Sequence, residues 1–151
     1  MQTCNEELII LDVEAENYEE AIRKVSALLY DGGYVKDTYT DAVIAREADF
    51  PTGLILKDIN IAMPHTAGVH VNVPAVCVAK MAKPVVFGHM GDPDTKVPAD
   101  ILFMMAIKDP DAQIDTLQNV MSIFTNAEAI AELKAAKDKK TLFEVVSKYI
   151  G

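Results

Sequence analysis

The run Ile101-Leu102-Phe103-Met104-Met105-Ala106-Ile107, closed by Asp100 and Lys108, constrains this fold more than any other stretch. Seven apolar residues are far short of the ~20 that cross a bilayer. A strand alternates its side chains between two faces, so a run that is apolar at every position suits a central strand covered on both sides. The other segments agree. Leu8 to Val13, Ile59 to Met63, Ala75 to Met81 and Pro84 to Phe87 read as further strands. Between and after them lie helical patterns, and interleaved strands and helices predict an α/β layered domain.

The helix signals are specific. Asn17 opens a helix, with Glu20 at the capping-box position, Ala21, Ile22, Val25, Leu28 and Leu29 at helical spacing, and Gly32-Gly33 as its stop. Thr38 with Asp41 opens a second, carrying Tyr39, Ala42 and Val43, which must end before Pro51. Asp109-Pro110 predicts a third, with proline at the first helical position and Ile114, Leu117, Met121 and Phe124 on one face. Asn126 caps a fourth that carries Ile130 and Leu133. Thr141 with Glu144 caps the last, with Leu142, Val145, Val146 and Tyr149 facing inward. Pro51-Thr52-Gly53 and Gly88 to Gly91 read as turns. No linker or repeat interrupts the 151 residues, so one domain spanning 1–151 is expected.

Charge narrows the function classes. The chain has 23 Asp and Glu against 14 Lys and Arg, a formal charge of −9, and such a surface repels phosphate backbones. Nucleic-acid binding and integration into a membrane are both set aside. Seven carboxylates and no base fall in residues 1–20, which makes a solvated acidic face or a docking face for a basic partner. The opening Met1-Gln2-Thr3 with Glu6 and Glu7 lacks a basic, then apolar, secretory leader. Cys4 and Cys77 form neither a disulfide framework nor a metal quartet, so the reducing cytoplasm is the default compartment. Met104 and Met105 read as core filler.

Three histidines carry the candidate chemistry: His65, His70 and His89. His65 follows a strand and stands directly after Pro64, whose fixed φ sends the chain out of the sheet in a defined direction. Strand ends are where α/β sheets place reactive groups; a capping or surface histidine is the alternative. Arg46 reads as an anion clamp or as a surface ion pair. The spacing His65-x4-His70 invites zinc, but there is no HExxH, no CxxC and no convincing third ligand. GxGxxG, P-loop and GxSxG motifs are missing too.

Two motifs taken together identify a family. The run Arg46-Glu47-Ala48-Asp49-Phe50-Pro51-Thr52-Gly53-Leu54, followed by Ile61-Ala62-Met63-Pro64-His65, resembles the fructose/mannitol-type enzyme IIA domains of the bacterial phosphoenolpyruvate-dependent sugar phosphotransferase system. Within that family the chain is most similar to the galactitol branch, which shares the R-E-A-[DE]-F-P-T-G form and a second histidine five residues on, here His70. Gln113 takes the approximate place of a histidine found in the mannitol and fructose branches, and Thr66 stands where a small residue is usual.

The resemblance implies a mixed, roughly five-stranded sheet flanked by helices. It implies that His65 accepts a phosphoryl group from the phosphohistidine of the carrier HPr and passes it to a cysteine of a IIB component. A membrane IIC component then moves the sugar, for galactitol or a related polyol. Arg46 would act on the transferring phosphoryl. Glu47 would hold the guanidinium or cap a helix interaction, and His70 would neutralise phosphate or bond the site. Phe50, Leu54 and Met63 flank the motif as docking or core residues. No metal or other cofactor is implied, because a phosphoramidate donor is already activated. A IIA-like regulator, whose phosphorylation state controls a partner, is the second reading; a metal hydrolase is the third.

Overall fold

A computed structural model describes residues 4–150. Met1 to Thr3, on which the expectation of no leader partly rests, lie outside them. Five strands form one sheet: β1 (Ile9–Val13), β2 (Gly53–Ile55), β3 (Asn60–Ala62), β4 (Ala75–Gly88) and β5 (Lys96–Ala106), in the spatial order β1-β4-β5-β3-β2. The apolar run therefore lies in the central strand. β1 is parallel to β4 and β3 to β5, while β4–β5 and β2–β3 are antiparallel, so the sheet is mixed.

The alternation of β5 divides the core in two. Ile101, Phe103 and Met105 face one side, packed with Val120 and Ile123 of α3 (Ile114–Ile123), Ile130 and Leu133 of α4 (Ala127–Ala135), and Leu142 and Val146 of α5 (Lys139–Ile150). Leu102, Met104 and Ala106 face the other, against Ile22, Val25 and Leu29 of α1 (Tyr18–Asp31) and Tyr39 and Val43 of α2 (Tyr39–Asp49). All six strand residues are buried, and each large apolar side chain so buried contributes roughly 1.5–3 kcal/mol. Met104 and Met105 each fill one of the two cores.

Caps agree with the sequence at two helices. Asn17 accepts the Glu20 N–H at 2.9 Å and Asn126 accepts the Ala129 N–H at 3.1 Å. Gly33, at φ 80°, takes the left-handed conformation that follows α1. Elsewhere the structure differs. Leu8 closes a 3-10 turn, Glu6–Leu8, rather than opening β1. Asp138, not Thr141, caps α5: its carboxylate accepts the Thr141 N–H at 2.7 Å. α3 begins at Ile114 rather than at Pro110, because the Gln113 side chain accepts the Lys108 and Asp109 N–H groups and holds the preceding residues in a turn. The inward face of α3 is accordingly Val120 and Ile123, while Ile114 and Met121 are exposed.

The two strands expected at 75–81 and 84–87 are one long strand whose register against β5 shifts between Lys80 and Val85. That irregularity turns the outer half of the β4–β5 hairpin over the α1/α2 face, where Val85, Phe87 and Ala99 join the core and Phe87 packs on Tyr18. The hairpin tip consequently reaches β2: His89 bridges Gly53, and the Met90 N–H donates to the Gly53 carbonyl at 2.9 Å. β2 itself was not foreseen, since Pro51-Thr52-Gly53 marks only the turn that leads into it.

Candidate functional site

His65 leaves the sheet at the carboxyl end of β3. Pro64 anchors the exit, its carbonyl accepting the Met105 N–H at 3.1 Å from the neighbouring strand. The imidazole is partly buried, and its Nδ1 lies 2.8 Å from the Met63 carbonyl. A carbonyl only accepts, so Nδ1 carries the proton and Nε2 carries the lone pair. Burial and the nearby Arg46 guanidinium push the ring's pKa below its ordinary value of 6.5, against the opposing effect of the Met63 bond. The imidazole is thus neutral at neutral pH, with one nitrogen free to act as a nucleophile.

Arg46 sits in the last turn of α2 and shares a surface depression with His65, Phe50, Thr52, Met90 and Pro93. Its guanidinium lies 5.4 Å from the centroid of the Phe50 ring, which supports it by a cation–π contact. Among the described residues no carboxylate lies within ion-pair distance of it. An unpaired, ring-supported guanidinium beside an unprotonated ring nitrogen can bind an anion transferred to that nitrogen. The hairpin tip, read from sequence as a plain turn, supplies Met90 and Pro93; no local signal in Gly88 to Gly91 marks them for this place.

Glu47 follows Arg46 by one position, yet among the described residues the two form no ion pair. Glu47 is buried, and its two carboxylate oxygens accept the Thr52 N–H at 2.7 Å and the Thr52 hydroxyl at 2.8 Å. Burial raises its pKa, partly offset by those bonds and by Arg46. The Thr52 oxygen in turn accepts the Met63 N–H at 3.0 Å. Thr52 was seen in sequence only as a turn residue, and its contact with Met63 requires β2 and β3 to pair.

His70 is not gathered into the depression. Its Nδ1 lies 2.8 Å from the Thr38 hydroxyl, and its carbonyl accepts the Lys36 N–H, so it ties the turn Gly68–His70 to the start of α2. Thr38 accordingly caps nothing through its side chain. Among the described residues no three His, Cys, Asp or Glu side chains converge as metal ligands. Of the flanking residues, Phe50 is exposed at the depression, Met63 is buried and Leu54 packs against the core.

Comparison with known proteins bears on the fold and the family. A galactitol-specific EIIA component of Escherichia coli (strain K12) is 29% identical over 118 residues, covering 78% of this chain and 77% of that protein. The transcriptional regulator ManR of Bacillus subtilis (strain 168) is 28% identical over 134 residues, 89% of this chain but 18% of that protein. A solution structure of the Escherichia coli mannitol IIA in complex with phosphorylated IIB superposes with a TM-score of 0.75 at 25% identity, over 94% of this chain and 95% of that one. Residues 2–149 match the family described as "Phosphoenolpyruvate-dependent sugar phosphotransferase system, EIIA 2", and this chain belongs to it.

Proposed function

We propose that the chain works as one phosphoryl-carrier unit, an enzyme IIA that takes phosphate from phospho-HPr on His65 Nε2 and delivers it to a IIB cysteine. The carrying observation is the Nδ1–H bond to the Met63 carbonyl, which leaves Nε2 as the nucleophile beside Arg46. The Nε2 lone pair forms a P–N bond as the donor's P–N bond breaks. Each ring keeps the proton on its far nitrogen, so no proton has to move. On delivery the cysteine thiolate forms the P–S bond, the P–N bond of His65 breaks, and the ring departs neutral. In both steps Arg46 neutralises the equatorial oxygens, and positioning with electrostatics supplies the catalysis. The phosphorylated IIB found with a similar IIA supports a IIB partner for this chain. HPr as donor and a IIC permease downstream are what family membership leads us to expect.

The likeness to the galactitol component, with Gln113 engaged in backbone bonds where the mannitol branch has histidine, favours galactitol or a related polyol system. A cytoplasmic location fits the relay, and among the described residues no helix is long and apolar enough to cross a membrane. The match to a segment of ManR keeps regulation by phosphorylation as the second reading. It requires the same His65 chemistry but no onward transfer to a IIB cysteine.

Incubation with phosphoenolpyruvate, the first enzyme of the relay and HPr is expected to place one acid-labile phosphate on His65. Label that persists in His65→Ala overturns the assignment. Labelled protein that phosphorylates none of the IIB components of polyol systems favours the regulator.

A further inference from the structure

The carbonyl that holds His65 belongs to the Met63–Pro64 amide, which has no N–H of its own because its nitrogen is proline's. Nothing can bond that amide from the donor side, so its orientation must be held from its flanks. On the far flank the Pro64 carbonyl accepts the Met105 N–H. On the near flank the Met63 N–H donates to the Thr52 hydroxyl oxygen, whose own proton is taken by Glu47. We infer that Thr52, locked by Glu47, is a positioning residue that sets the tautomer and aim of the His65 imidazole.

Donor and acceptor bookkeeping closes along this chain. The Glu47 carboxylate accepts twice from Thr52, the Thr52 hydroxyl donates once and accepts once, and the Met63 carbonyl accepts from Nδ1. A hydroxyl that must donate to a carboxylate has only its lone pairs left for Met63, so the direction of every bond is determined. Glu47 and Thr52 are both almost fully buried, at 4% and 3% exposure. Burying a carboxylate is costly, and here the two Thr52 bonds and the nearby Arg46 charge partly offset that cost while the Thr52 and Met63 N–H groups gain their acceptors. The same bonds fix the one peptide that orients the reacting ring.

The role rests on the carrier reading, and the test separates the two. Thr52→Val keeps the shape and removes the hydroxyl; Thr52→Ser keeps the hydroxyl. With nitrogen-15 labelled histidine, wild type and Thr52→Ser should show His65 in the Nδ1–H tautomer, and Thr52→Val a mixture with the Nε2–H form. In phosphoryl uptake from phospho-HPr, Thr52→Val should lose about 10²-fold in saturated rate, the size of loss from misplacing a reacting group by about 1 Å. Its KM should stay within about two-fold, because HPr docks on surface that the change leaves intact. Thr52→Ser should recover most of the rate. If Thr52→Val does not fold, Glu47→Gln, which replaces one acceptor by a donor at constant volume, reads the same link. A tautomer ratio in the variant equal to wild type overturns the inference, as does a serine variant no better than valine. Failure of the wild type itself to take phosphate overturns the carrier reading instead, and the tautomer comparison still decides this one.

Discussion

At the scale of single residues, the proposed relay divides one task between His65 as a neutral nucleophile and Arg46 as a fixed positive charge. Burial and the guanidinium both lower the ring's pKa, so the neutral form persists below pH 6.5. Uptake of phosphoryl, followed as kcat/KM against pH, should therefore hold steady through pH 6.5 and fall only on the acid side of it. The same shift makes native protein resist protonation at His65. That stability contribution is complete above the unfolded ring's ~6.5 and is lost as pH falls through the lower folded value. Arg46→Ala removes one cause of the lowering and should move the acid limb to higher pH. It should also slow transfer by about 10²–10³-fold, the loss expected for one preorganised donor. Stability should change by no more than about 1 kcal/mol, since Arg46 is exposed and without an ion pair among the described residues. A wild-type rate and an unmoved limb would remove the clamp.

At the scale of elements, the site is a junction of α2, the β2–β3 pair and the β4–β5 hairpin. Gly53 marks where β2 and the hairpin come too close for a side chain, and Gly68 does the same for the turn after His65 against the chain beyond β5. A Cβ on Gly53 would lie 2.5 Å from the Gly88 carbonyl oxygen and 2.9 Å from Val97 Cβ, and one on Gly68 would lie 2.0 Å from the Lys108 carbonyl oxygen. Gly53→Ala should therefore push the hairpin from β2, at about 1–3 kcal/mol of stability, as overpacking usually costs. The tip that brings Met90 and Pro93 beside His65 should move with it. Chemical denaturation should show the loss, and uptake from HPr should weaken in KM, because the displaced residues line the depression on which a donor would dock. A variant as stable as wild type would show that the contact yields without effect. α2 is secured separately, by the Tyr39 hydroxyl donating to the Met105 carbonyl at 2.7 Å, so Arg46 should stay in place.

At the scale of the whole molecule, a partly apolar depression that holds Arg46 and Asp49 is set in a surface of net charge −9. Phe50 and Met90 stand exposed at its rim, and Val69 is exposed in the turn just beyond His65. Exposed Asp49, Asp92 and Asp94 lie on or beside it. In the proposed relay, donor and acceptor proteins must each reach the one imidazole, so they are expected to share this surface and not to occupy it together. Transient contacts of this kind are small, and charge acts chiefly on the rate of encounter. Phosphoryl uptake measured below saturation should fall as salt shortens the Debye length to ~8 Å and less. A salt-independent rate would remove the electrostatic contribution, and simultaneous binding of HPr and IIB would remove the shared surface.

What the sequence determined by itself is what depends on neighbours along the chain. The central strand was legible at Ile101 to Ile107 because a run apolar at every position has to be covered on both faces. The caps at Asn17 and Asn126 were legible because a cap acts within three residues. The two motifs placed Arg46 and His65 as candidates, and the structure brings both to one depression. Tertiary structure alone decided the rest. Whether Glu47 would meet Arg46 or Thr52 depends on how α2 turns into β2, and His70 goes to Thr38 because the turn after His65 folds toward the start of α2. The hairpin tip reaches the site because the register of β4 shifts between Lys80 and Val85 and Phe87 finds Tyr18 across the α1/α2 core. Ile114 and Met121 are left exposed because Gln113 turns its amide to the Lys108 and Asp109 backbone and so delays α3. In each case the deciding partner is remote in sequence, or the choice is among several that local pattern allows equally, and only packing ranks them.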